Sequence, residues 1–274
     1  MPPTTADRPA APPPGPIVGL ARFLRRVGRL KTTPRTGWLD RGVPTAAVES
    51  VADHSFRTAL LAWLAAKVAA DTAAGAATGA SPHPADGFAS GPSLGPALGT
   101  SPRRPLGAAD GDTPSAVGRR GAGLDTDRVL KLALIHDLAE SLTGDPPPYD
   151  PATIPPGADA RRRFLDGRHV RAPDRAAAKR AAEDAAMADL LADLPPSLAA
   201  DLAALWAELA AGDSAESRFV KQADKLETFL QSRDYLATDP ARPMASFAAE
   251  VAEVVTHPTL AALRDAMAAP TDAG

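Results

Sequence analysis

Apolar residues recur at helical spacing along most of the chain, and no stretch shows the strict alternation of a half-buried strand. The strongest segment runs from Asp127 to Leu142, with Val129, Leu130, Leu132, Ala133, Leu134, Ile135 and Leu138 apolar. It predicts one helix, capped by Asp125 or Thr126 and stopped by Gly144 and Pro146. Being apolar on nearly every side, that helix belongs in the middle of a bundle. A Ser50-x-x-Asp53 capping pattern opens a second helix that runs to about Ala70. Arg22 to Leu30 reads as a short helix ended before Pro34, and further helices are predicted at roughly Asp174 to Leu194, Pro196 to Ala211, Ala215 to Tyr235, Ala245 to Val255 and Pro258 to Ala268. The predicted fold class is therefore all-α, a helical bundle.

Two segments break the pattern. The proline-rich leader, residues 1–16, and a stretch at about 71–123 are dominated by Gly, Ser, Pro and Ala, which bury too little apolar surface to offset chain entropy. They read as a disordered leader and a long low-complexity insert within a single domain spanning 17–274. Such an insert is tolerable because loop-closure cost grows only logarithmically with length. The connection from Arg161 to Arg175 is basic, and its Arg161-Arg162-Arg163 run reads as a solvated helix face rather than a phosphate collector.

Composition then limits the chemistry. With 274 residues, 45% of them apolar, the chain can bury one substantial core. It has no cysteine, so a disulfide framework, a thiolate metal site and a cysteine nucleophile are all excluded, and any metal must be held by nitrogen and oxygen. A net charge of -3 and a pI near 6.0 give no general attraction for nucleic acid polymers. The leader lacks the basic start and apolar run of a secretory signal. The longest apolar stretch, Ala59 to Ala70, is interrupted by Lys67 and falls short of the ~20 residues a membrane span needs. A cytoplasmic enzyme with no membrane partner is expected.

The chemistry-bearing residues lie on the apolar faces. His136 and Asp137 are adjacent on the central helix, where an ionised carboxylate needs a compensating charge. His54 is in phase with Thr58, Leu61, Ala65 and Val68, and Asp224 sits between Val220, Ala223 and Leu226. Singly, each has a plainer reading: a packed, hydrogen-bonded histidine, or a surface acid beside Lys221 or Lys225. Together, three helices aim two imidazoles and two carboxylates at one core, a donor set suited to Mn, Fe, Co, Ni or Zn. Glu140, a turn beyond His136, is placed to act as a base, and Asp145 follows the helix stop, where it either orients substrate or simply begins a turn. His83, His169 and His257 have no neighbours that would build a second metal site.

His54, His136-Asp137 and Asp224 resemble the H…HD…D signature of the HD-domain superfamily of metal-dependent phosphohydrolases. The stretches Pro34-Arg35-Thr36-Gly37-Trp38, His136-Asp137-Leu138-Ala139-Glu140 and Thr143-Gly144-Asp145 are similar to the branch containing HD domain-containing protein 2 and bacterial 5′-deoxynucleotidases. The resemblance implies hydrolysis of deoxynucleoside 5′-monophosphates with one divalent ion, Co or Mn favoured over Zn, Fe or Ni. It implies metal ligation by His54, His136, Asp137 and Asp224, and handling of the attacking water and leaving-group proton by Glu140 and Asp145. Arg35 matches the family's phosphate contact, with Arg41 as the alternative. Trp38 would pack beside the small-molecule nucleotide, or else cap the core. Relatives of this kind are often homodimers. The insert and the basic connection depart from the family pattern and leave open another phosphorylated nucleotide, a triphosphate or an alarmone, as substrate; a non-catalytic module keeping the metal for stability is the remaining alternative.

Overall fold

A computed structural model describes residues 15–78 and 123–268, so the leader up to Pro14, most of the insert and His83 lie outside the described residues. The described elements are α1 (Pro16–Val27), a 3₁₀ segment (Gly28–Thr32), α2 (Thr36–Asp40), α3 (Val51–Thr78), α4 (Thr126–Ile135), α5 (Glu140–Thr143), a second 3₁₀ segment (Pro151–Thr153), α6 (Ala158–Asp166), α7 (Pro173–Leu191), α8 (Pro196–Ala211), α9 (Ala215–Thr238), α10 (Ala245–Val254) and α11 (Pro258–Ala268). No strand occurs among the described residues beyond one isolated antiparallel bridge, Pro34 to Ser50. Nor is any described helix long and apolar enough to cross a membrane.

Local signals account for the helix starts. Ser50 and Asp53 form the reciprocal capping box, Ser50 N donating to Asp53 Oδ2 at 2.9 Å and Asp53 N to Ser50 Oγ at 3.2 Å. Asp125, rather than Thr126, caps α4 by accepting from the amides of Asp127 and Arg128. Helix α3 outruns its expected end at Ala70 and continues to Thr78, so the first residues assigned to the insert are helical. Its buried arc centres on Thr58, Ala62 and Ala66, which leaves Val68, expected inside, at the exposed edge. Helix α2 was not predicted, and α6 was anticipated only as the helix face read at Arg161 to Arg163; both are short.

The segment read as one helix from Asp127 to Leu142 is broken. Helix α4 ends at Ile135, and the chain tightens into i→i−3 bonds, Leu138 N to Ile135 O at 3.1 Å and Glu140 N to Asp137 O at 3.0 Å, before α5. Three residues per turn bring Asp137 and Glu140 nearly into line, whereas an α-helix would offset them. Gly144, at φ 72°, ends the segment in the left-handed region that only glycine enters cheaply.

The main core joins α3, α4, α8, α9 and α11 through Ala62, Leu132, Leu209, Phe219, Leu226 and Leu260, with Leu132 and Leu226 fully buried. A second cluster seats α1 on α7 through Phe23, Met187 and Leu190. Here Gly19 is obligatory, because a Cβ would lie 2.0 Å from the Asp193 carbonyl oxygen. Gly19→Ala is expected to destabilise the fold by about 1–3 kcal/mol, the usual cost of overpacking, and denaturant melts would show it. An unchanged midpoint would mean that α1 does not dock as described.

Candidate metal centre

The bridge between Pro34 and Ser50 builds the first half of the site. Arg35 N donates to Glu49 O at 3.1 Å and Val51 N to Thr33 O at 2.8 Å, which ties the Arg35 loop to the start of α3, one turn before His54. Helix α9 crosses the same end of α3 and brings Asp224 and Glu227; the tightened turn after α4 supplies His136, Asp137 and Glu140.

His54, His136 and Asp224 offer donor atoms that all lie within 4.8 Å of one another. His54 Nε2 is 3.1 Å from Asp224 Oδ1 and 3.4 Å from His136 Nε2. Asp137 Oδ2 lies 3.1 Å from His136 Nε2 and 3.6 Å from His54 Nε2. Both Nδ1 atoms are committed elsewhere: that of His54 to Glu227 Oε2 in a short contact, that of His136 to Ala133 O at 2.7 Å. Each imidazole therefore turns Nε2 inward. Two such lone pairs face each other and two carboxylates, an arrangement that repels itself unless a cation, a proton or a metal ion, lies between them. The donor set thus fits a divalent ion of the nitrogen- and oxygen-binding kind.

Electrostatics agree. Burial opposes charge on His136, but Asp137 and Asp224 outweigh it and hold the imidazole up at about 9. Burial likewise works against the Asp224 carboxylate, yet Lys225, with Nζ 3.3 Å from Oδ2, and His54 keep it well below the ordinary range. A partner beside Lys225 was the plainer expectation for Asp224; here the same carboxylate serves both neighbours.

Glu227 was missed by the sequence reading, although it carries the signal used for Asp224, an acid beside Leu226 and Phe229 on an apolar face. It is fully buried, and Oε1 accepts from Arg57 Nε at 2.7 Å while Oε2 takes His54 Nδ1–H. It thereby fixes the tautomer and tilt of His54. Glu227→Gln is expected to weaken metal affinity by about 10–100-fold, as measured by competition with a chelator. Unchanged affinity would remove Glu227 from the support of the centre.

Beyond the ligands opens a cavity of about 430 Å³, lined among others by Arg35, Trp38, Asp137, Glu140, Asp145 and Lys179. Glu140 is buried; Oε1 accepts from Lys179 Nζ at 3.3 Å and Oε2 has no partner. Burial, Asp137 and Asp145 push its carboxyl well above the usual range, against Lys179 and Arg35. Arg35 Nε lies 3.5 Å from Asp145 Oδ2 and Nη1 3.7 Å from Asp137 Oδ2. Arg41 is different: its five N–H donors go to Pro243 O, Gly37 O, Tyr149 Oη, Leu165 O and Ser246 Oγ, and its guanidinium lies 4.6 Å from the Phe247 ring. Arg41 holds the wall of the cavity. Trp38 is buried against Tyr235 and Phe247 and donates Nε1–H to Glu49 at 2.8 Å, so it is a core aromatic whose edge reaches the cavity. The basic connection also enters here. Its Arg161 and Arg162 bind the carbonyls of Asp40 and Ala241 and turn away, whereas Arg168, His169 and Arg171 line the cavity. His169 stacks between Tyr149 and Phe164 and gathers no metal-binding neighbours, and His257 packs on Phe219.

Comparison with known proteins agrees with this arrangement. A family model described as an HD domain matches residues 27–76 and 117–262. The 5′-deoxynucleotidase HDDC2 of Mus musculus is 30% identical over 247 residues, 89% of this chain and 84% of its own length. The Homo sapiens HDDC2 is 29% identical over 89% of this chain and 82% of its own. Among solved structures, a conserved hypothetical protein from Pyrococcus furiosus superposes with a TM-score of 0.51 at 23% identity, covering 90% of this chain and 98% of that one. A predicted metal-dependent phosphohydrolase from Magnetospirillum magnetotacticum does so with a TM-score of 0.50 at 20% identity, covering 92% and 90%. The match across most of the chain, on a helical frame that joins two histidines and two aspartates, places this protein in the HD-domain superfamily of metal-dependent phosphohydrolases, as a relative of HDDC2.

Proposed function

We propose that the protein is a 5′-deoxynucleotidase, splitting deoxynucleoside 5′-monophosphates into deoxynucleoside and phosphate at a single divalent ion, with Co or Mn preferred. The observation that carries this reading is the convergence of the two inward Nε2 atoms with Asp224 and Asp137 beside a cavity that also holds Glu140, Asp145 and Arg35. His54, His136, Asp137 and Asp224 would hold the ion, which supplies Lewis acidity toward water and a phosphoryl oxygen. Glu140, whose affinity for protons burial, Asp137 and Asp145 raise well above that of an ordinary carboxylate, takes the proton of the attacking water through its unpartnered Oε2. The proton taken by Glu140 passes to the departing 5′ oxygen as the phosphorus–oxygen bond breaks, with Asp145, held beside Arg35, placed to relay it. Arg35 turns from its carboxylate neighbours to a non-bridging phosphate oxygen. It is preferred to Arg41 in that role because every Arg41 donor is already engaged. Trp38, buried but lining the cavity, would bound its nucleoside end.

The kinship with the 5′-deoxynucleotidase HDDC2 favours a nucleoside monophosphate over longer nucleotides. Purified protein loaded with Co or Mn and offered deoxynucleoside and ribonucleoside mono-, di- and triphosphates is expected to release orthophosphate from the deoxynucleoside monophosphates. Release of pyrophosphate or triphosphate instead would overturn the substrate assignment. Within the same reading the protein is a homodimer, as relatives of this kind often are, and its mass in solution tests this.

A further inference from the structure

The metal-ligand cluster is reachable from a second side. A cavity of about 360 Å³ reaches His136, Asp137 and Asp224 from between α7, α8 and α9, and shares Arg171 and Lys179 with the cavity that holds Arg35. Its outer part is basic. Arg171, Arg180 and Lys221 line it, and among the described residues none of the three forms a salt bridge with a carboxylate. Arg171 donates to the Pro146 carbonyl at 2.8 Å, and Arg180 lies 3.4 Å from the Ala210 carbonyl. Burial lowers the basicity of Lys221, and the Arg180 charge lowers it further; burial and Arg175 do the same to Arg171. The remaining charges are largely answered: Lys179 pairs with Glu183 and Glu140, and Asp184 accepts Nε1–H of Trp206 at 2.8 Å. Once a divalent ion balances Asp137 and Asp224, Arg180 and Lys221 remain without a carboxylate salt-bridge partner, and Arg171 feels Glu183, Asp145 and Glu140 only at longer range. That surplus of positive charge is the one a phosphate dianion would neutralise.

We propose that this second opening is a phosphate-binding passage, in which Arg180 and Lys221 receive a phosphate group leaving, or extending from, the metal centre. The inference rests on the hydrolase reading for its direction of travel, but the site itself does not. A phosphate freed at Asp137 and Asp224 has Arg171 and Lys179 on both routes, and the second route continues between Arg180 and Lys221, whereas Arg35, Arg168 and Lys225 on the first are paired with carboxylates. The nucleoside could then leave by the wider cavity without passing the phosphate.

The experiment is calorimetric titration of the metal-loaded full chain with orthophosphate and, separately, pyrophosphate, for the wild type and for Arg180→Ala/Lys221→Ala, with metal content verified after each titration. Both side chains are exposed, so the fold is expected to survive; Arg180→Lys/Lys221→Arg, which keeps the charge, is the control and is expected to bind as the wild type does. Removing two charged contacts is expected to weaken orthophosphate binding by about tenfold or more while kcat/KM for the nucleotide stays within about twofold. Comparable affinities for the two anions would identify freed phosphate as the occupant. A much tighter pyrophosphate, lost in the same variant, would identify the tail of a longer nucleotide. Unchanged orthophosphate and pyrophosphate affinities in the alanine variant would overturn the proposal. Because binding and turnover are read separately, the passage can fail while hydrolysis persists, and hydrolysis can fail while the anion site stands.

Discussion

Asp224→Ala is expected to empty the centre of metal and to abolish nucleotide hydrolysis. Asp224 approaches His54 Nε2 at 3.1 Å and is the contribution of α9, so without it the remaining donors come only from α3 and the turn after α4. The loss in metal affinity should exceed the ~10–100-fold typical of a residue that merely supports a ligand. Metal analysis after gel filtration and a chelator competition measure it directly. The sign of the pH dependence follows from His136: its imidazole is held up at about 9 by Asp137 and Asp224 despite burial, so protons compete with the ion. Metal affinity should fall steadily as pH is lowered below that value, and binding should release protons into the buffer. If Asp224→Ala kept both its metal and its turnover, the proposed centre would be wrong.

Glu140→Gln is expected to leave metal content intact and to lower kcat by about 10²–10⁴-fold, the range for loss of a positioned general base. The amide keeps the size of the carboxyl and can still meet Lys179 Nζ through its oxygen, so the fold is expected to hold. Glu140 must be ionised to accept a proton, and burial with Asp137 and Asp145 raises its carboxyl well above the ordinary value. The wild-type kcat/KM should therefore fall as pH drops through this raised value, an acid limb displaced above the usual carboxylate range near 4.3. In Glu140→Gln that limb should vanish along with most of the rate. A module that keeps its metal only for stability would show neither effect.

The legible parts of the fold were those set by short-range pattern. The capping box at Ser50 and Asp53, the all-α class and the stop at Gly144 each depend on neighbours within a few residues, so they stood in the sequence. Helix α6 carries only Phe164 and Leu165 as large apolar residues and its inward face is set by contact with α10, so local pattern showed only its solvated face at Arg161 to Arg163. The break after Ile135 was hidden for the opposite reason. Its residues are good helix formers, and the tightening to three residues per turn follows from seating Ala139 and Glu140 in the core. Glu227 was readable by the same reasoning as Asp224, but its role depends on meeting His54 across 173 residues.

The chain on its own determined the helical class, the absence of thiolate chemistry and the identity of His54, His136, Asp137 and Asp224 as the residues to watch, because periodicity and composition are properties of neighbouring residues. Only the folded molecule decided that Arg41 spends its donors on the wall of the cavity, that Glu227 aims His54, and that a second, basic opening reaches the same centre. Those outcomes turn on which donors are already engaged and which charges lack partners. Both are properties of residues brought together from distant parts of the chain, and local pattern carries no record of them.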